Sequence, residues 1–194
     1  MKNFSAFLLA GSLLLVIACG SPSTSPVVKK EDSASTSFLP VADYLLGEIS
    51  YVDSTPLAIR KYITLDNHQD SSFIEAAAFN QLAKEFLMPE LATDSFSRNF
   101  SENSFMDKTT GYLTFTYSAR NKAQSLQRVD VFVTPGANAD KVKSVYLEKM
   151  FPAGDTLVIK KMFWQTGRSF LILTSHQLPG KAPLVNQEKV VWNE

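Results

Sequence analysis

The chain has 194 residues, 45% of them hydrophobic and 20% charged, with 19 basic and 19 acidic side chains. Such a composition fits a globular chain of one domain or two small ones, and its charge balance gives no global pull towards nucleic acid or an anionic surface. The one cysteine excludes an internal disulfide, cysteine-rich zinc sites and CxxC redox chemistry.

Residues 1–18 carry Lys2 near the start and then an apolar run ending at Ala18. Its core of about a dozen residues is short for a membrane span, which needs roughly 20. It has the charge and length pattern of a secretory signal peptide. Val16-Ile17-Ala18-Cys19, which closes the run, resembles the lipobox of bacterial lipoproteins. That resemblance covers only the first twenty residues. It implies cleavage before Cys19, a diacylglycerol on the Cys19 sulfur and acylation of the new amino terminus, so that Cys19 anchors the chain to a lipid bilayer. A single acyl chain holds a protein marginally, whereas two or more hold it stably. Gly20 stands where many Gram-negative lipoproteins retained at the inner membrane have aspartate. The expected location is therefore the cell envelope, at the outer membrane, with the periplasmic or surface side left open. Glu31 and Asp32 are the nearest acidic residues for a surface-export signal.

After Cys19, residues 20–37 (GSPSTSPVVKKEDSASTS) are rich in Ser, Thr and Pro. They contain too little apolar surface to offset the entropy of ordering, which predicts a flexible tether with an end-to-end distance of roughly 20–25 Å.

The body, residues 38–194, is long enough for one sizeable core. Ser37 as a cap, Pro40 in the first turn and the spacing of Leu39, Ala42, Leu45 or Leu46, Ile49 and Val52 predict a first helix ending before Pro56. Leu57 to Leu65 reads equally as a strand or as more helix. The polar segment DNHQDSS reads as a loop. Phe73 to Met88 reads as the clearest helix, with Ser72 and Glu75 at capping-box spacing and Pro89 as its stop. A weaker helical turn is expected from Pro89 to Asn99.

From Gly111 onward the hydrophobic period changes to two. YLTFTYSA, QRVDVFVT, KVKSVYLEKMF, TLVIKKMFW and SFLILTS alternate, and KVVWNE closes the chain. FPAGDT and WQTGRS place a glycine in short connections between such runs, which is the hairpin signal. These elements predict an α+β domain: N-terminal helices packed on one face of a five- or six-stranded antiparallel meander. The other face is expected to carry Arg128, Asp130, Glu148 and Lys160. Helix-then-meander order is similar to outer-membrane assembly lipoproteins of the SmpA type and to β-lactamase-inhibitor-like domains. It is a likeness of element order, and no residue motif of either family can be matched.

No catalytic motif emerges. His68 has Asp66 and Asp70 two residues to either side, a conceivable weak metal site that matches no calcium loop and no HExxH pattern. His176, in TSHQLPG, also reads as a loop residue and lacks a GxSxG partner. No cofactor is implied, since there is no GxGxxG or Walker loop. Asp130 and Glu148, on strands that can be neighbours, read as cross-strand pairs with the lysines around them. Trp164 and Phe151 flank hairpin tips and are the candidates for contact with a protein or peptide partner. The leading expectation is a lipid-anchored, non-catalytic binding or accessory module. An envelope hydrolase using carboxylates gathered by the fold is the alternative.

Overall fold

The computed structural model describes residues 38–65, 68–91, 96–137 and 140–193. Cys19 and the segments expected to be a signal peptide and a tether lie outside them. Helix α1 spans Val41–Ser54 and turns Val41, Ala42, Leu45 and Val52 into the core. Strands β1 (Ile59–Leu65) and β2 (His68–Ile74) follow, then helix α2 (Ala76–Ala83) and two single 3-10 turns, Lys84–Phe86 and Pro89–Leu91. After the short helix α3 (Phe96–Asn99) the chain is all strand: β3 (Phe100–Asp107), β4 (Tyr112–Ala119), β5 (Leu126–Thr134), β6 (Lys141–Ala153), β7 (Thr156–Gln165), β8 (Ser169–Gln177) and β9 (Leu184–Val191).

The strands form one nine-stranded sheet in the order β2-β1-β9-β8-β7-β6-β5-β4-β3, and every neighbouring pair is antiparallel. β3 to β9 are a meander. The first hairpin, β1–β2, extends it by pairing β1 with the last strand, Arg60 opposite Val191 and Leu65 opposite Asn186. The first and last strands thus lie side by side.

This architecture corrects the expected α+β class. Among the described residues the protein is mostly β, with nine strands rather than five or six, and the α-helices are few, of 14, 8 and 4 residues. The physical reason lies in β1, β2 and β3. DNHQDSS, expected as a loop, supplies most of β2, whose side chains are nearly all exposed. β3, FSENSFMD, is similarly exposed. Edge strands with little burial show no hydrophobic alternation, and their ladder hydrogen bonds leave no trace in side-chain chemistry. The same error displaced α2. Ser72, Phe73 and Ile74 are strand, so the helix starts at Ala76 and no capping box forms.

Alternation places even residues of β7 and β8 on the inner face and odd residues on the outer face. Val158, Met162 and Trp164 of β7 and Phe170 and Ile172 of β8 are buried inward. The helices pack there. Phe79 of α2 and Phe86 stand 6.3 and 5.1 Å from the Trp164 ring, and Trp192 is 5.3 Å from it. A second cluster joins Phe38, Phe96, Phe100 and Tyr117. Burying each of these large rings removes enough apolar area to contribute about 1.5–3 kcal/mol. Lys160 departs from expectation. It lies on the inner face and pairs with Glu85 beside α2, because two adjacent lysines in an alternating strand must face opposite ways.

Among the described residues no helix is long and apolar enough to cross a membrane.

Candidate functional site

Beyond the helices the inner face forms a trough. Ile63 and Leu65 occupy inward positions, opposite Glu188 and Asn186 of β9, yet stay 39% and 44% exposed. The cavity measures ≈ 530 Å³ and is lined by Ile63, Leu65, Phe151, Ala153, Val158, Lys160, Thr174, His176, Asn186 and Glu188. Five strands contribute: β1, β9, β8, β7 and β6.

Cross-strand register explains this company. Phe151 faces Val158, Lys160 faces Thr174, Val158 faces His176 and Thr174 faces Asn186. Each strand gives the trough alternate residues, so positions two apart in sequence become one wall. The apolar side chains lie mainly at the two flanks, on β1 and on β6, with Val158 of β7 beside the latter. Hydrogen-bonding groups occupy the middle.

Both charged pairs at the trough are internally balanced. Glu188 sits 3.0 Å from the Lys61 ammonium, and Lys160 is bonded to Glu85. Glu188 is the one carboxylate lining the trough among the described residues. The Asn186 Oδ1 atom is buried without a hydrogen-bond partner. A buried acceptor without a partner is destabilising unless a donor reaches it.

The residues marked in the sequence are distributed as follows. His176 is a strand residue of β8 rather than a loop residue, and it lines the trough. His68 begins β2 opposite Leu65, and Asp70 lies two residues on, opposite Ile63. Asp66 lies outside the described residues, and among these no three acidic, histidine or cysteine side chains gather as a metal set. Phe151 is half-buried and lines the trough. Trp164 is fully buried and donates its indole N–H to Glu48 at 3.2 Å; it is a core residue with no surface to offer a partner.

Asp130 and Glu148 lie on the outer face of neighbouring strands, in register with Tyr146 and Arg128 respectively. Arg128 donates to both Asp130 oxygens at 3.0 and 2.9 Å, and Tyr146 donates to Glu148 at 2.8 Å. Burial, then the hydrogen bond to Glu148, pushes the Tyr146 hydroxyl above its ordinary range. The cluster is satisfied within each strand, between positions two apart, by Arg128 and Tyr146 rather than by the expected cross-strand pairs with lysines.

The sequence offered no signal for the trough. Its polar members sit in segments such as TSHQ and VNQE, which lack apolar alternation and so resemble loops. No family model matches the chain, and neither a curated protein nor a solved structure does.

Proposed function

We propose that this protein is a lipid-anchored envelope lipoprotein whose sheet acts as a non-catalytic binding module for a small amphipathic molecule. The Cys19 lipobox resemblance supports the anchor. The inner-face trough carries the binding reading. Its volume falls in the range of small-molecule clefts, and such clefts combine apolar walls with a few placed polar groups. Here Ile63, Leu65, Phe151 and Val158 supply the walls, and Thr174, His176 and Asn186 supply hydrogen-bonding groups. The partnerless Asn186 Oδ1 calls for a ligand N–H or O–H. The hydrolase alternative gains nothing comparable, because the trough's carboxylate, Glu188, is held by Lys61.

Titration of the full chain with a neutral apolar fluorophore tests the binding reading. Ala153→Trp and Thr174→Trp, which fill the trough, should each weaken saturable binding at least about tenfold, the effect of blocking a cleft of this size. Unchanged binding in both folded variants would remove the trough from the account. For the anchor, Cys19→Ser should abolish incorporation of alkyne palmitate and block normal cleavage; persistent labelling would refute it.

A further inference from the structure

On the outer face, the end of the sheet beside the β7–β8 turn holds a recess of ≈ 280 Å³ lined by Tyr62, Gln165, Arg168, Ser169, Lys189 and Asn193, among others. We propose that this recess is a binding site for a phosphate group, independent of the inner-face trough.

Charge is the first argument. The outward positions of β1, β2, β7, β8 and β9 include Arg60, Lys161 and Lys189 and contain no Asp or Glu. Neither the Arg168 guanidinium nor the Lys189 ammonium has a hydrogen bond or ion pair among the described residues. Lys61, Arg128 and Lys160, by contrast, each take a carboxylate. Two cations at one recess, without counter-charges among the described residues, give a local positive potential there.

Donor geometry is the second. A phosphate presents several acceptor oxygens, and the recess offers the Arg168 fork, the Lys189 ammonium, the Tyr62 hydroxyl and the amides of Gln165 and Asn193; the Ser169 hydroxyl, which donates to Gln165 Oε1 at 3.4 Å, would have to turn to join them. The Tyr62 hydroxyl oxygen accepts from Arg60 Nη1 at 3.5 Å, which leaves its own proton to donate into the recess. Lys189 lies directly across the ladder from Tyr62.

The backbone is built to hold Arg168 in place. Glu48 accepts from Gly167 N at 2.7 Å, Thr166 Oγ1 donates to Val142 O at 2.9 Å, and Arg168 O accepts from Trp192 N at 3.0 Å and Asn193 N at 3.3 Å. The turn is tied to α1, β6 and the chain end. A guanidinium on a pinned turn loses less entropy on gripping an anion than one on a free loop.

The test uses the full chain in an uncharged maltoside detergent at low salt, titrated with inorganic phosphate and, in a second arm, with dihexanoyl phosphatidic acid. Saturable phosphate binding is expected, with the amide resonances of residues 168 and 193 shifting. Arg168→Gln and Lys189→Gln should each weaken it about tenfold, the loss of one charge-assisted hydrogen-bonding group. Arg168→Lys should restore only part of the affinity, because the planar fork is lost. Lys181→Gln, outside the recess, should change nothing. These side chains are exposed, so unchanged melting curves verify that the variants are folded. Tighter binding of the lipid assigns the phosphate to a headgroup, and equal or weaker binding assigns it to a free phosphate; either supports the site. No saturable binding of either probe, or binding indifferent to both Arg168→Gln and Lys189→Gln, overturns it.

Discussion

Glu48 on α1 accepts two hydrogen bonds through one carboxylate oxygen, from the Trp164 indole at 3.2 Å and from the Gly167 backbone at 2.7 Å. One side chain thereby joins a helix, the centre of the core and the β7–β8 turn. Gly167 is at φ 64°, a left-handed conformation that side chains with a Cβ avoid, and the turn needs it.

Glu48→Ala should therefore destabilise the protein by about 1–3 kcal/mol, because the buried indole N–H loses its acceptor. Glu48→Gln should cost less, since an amide oxygen can still accept. Chemical denaturation of the two variants measures the difference, and equal midpoints would show that the contact is dispensable.

Trp164→Ala should cost about 3–5 kcal/mol, the range for emptying an aromatic site in a packed core. Its ring stacks with Phe170 at 5.3 Å and is edge-on to Phe86 at 5.1 Å. A residue serving only a partner would leave the melting temperature unmoved, so thermal unfolding distinguishes the roles.

Tyr44 and Tyr117 should resist ionisation until close to pH 12. Burial pushes both hydroxyls up to about 12; Thr166 bonded to Tyr44 works against that, and the Glu48 charge adds to it. For Tyr117 the Leu39 N–H works against burial. Because the neutral form is favoured in the fold, this stability is fully present below pH 10 and is lost as pH rises towards 12. Absorbance at 295 nm should show late-ionising tyrosines, and Tyr44→Phe and Tyr117→Phe should each remove one.

At the β3–β4 turn the sign reverses. Thr110 Oγ1 donates to Asp107 Oδ2 and Thr109 N to Oδ1, each at 2.8 Å, and these bonds hold the carboxyl below its ordinary range. The turn's order should be present above the usual aspartate value and disappear as pH falls through the lowered one. A carbon-13 titration of the Asp107 carboxyl checks it; a midpoint at or above the usual value would contradict the geometry.

Arg128→Ala should destabilise by about 1–3 kcal/mol, leaving a buried carboxylate without its donor. Asp130 is only 7% exposed at its side chain, whereas Arg128 is 51% exposed. The complementary Asp130→Asn variant keeps an acceptor and should cost less in the same denaturation experiment.

The strands legible in the sequence are those with one face in the core. QRVDVFVT and TLVIKKMFW alternate because Val129, Val131, Val133, Met162 and Trp164 are buried on one side. Arg128, Asp130 and Glu148 were placed on the outer face by the same alternation. Lys160 was expected there as well but lies inward, because a salt bridge to Glu85 lets a lysine occupy a position that the pattern reserves for apolar residues. β2 and β3 escaped notice since their exposed side chains carry no burial signal. His176 passed for a loop residue because a partly buried polar side chain breaks the apolar alternation.

By itself the sequence determined what depends on residues close together: the apolar run that ends at Cys19, the polar tract after it, and the period-two segments from Gly111 onward. Local patterning suffices there, because apolar runs, polar tracts and half-buried strands are defined by neighbours one to four positions away. Tertiary structure alone decided the strand count, the pairing of β1 with β9, and both recesses. Each recess takes residues more than a hundred positions apart in the chain. Such groups meet only through ladder hydrogen bonds between backbones, and backbone chemistry is the same for every sequence.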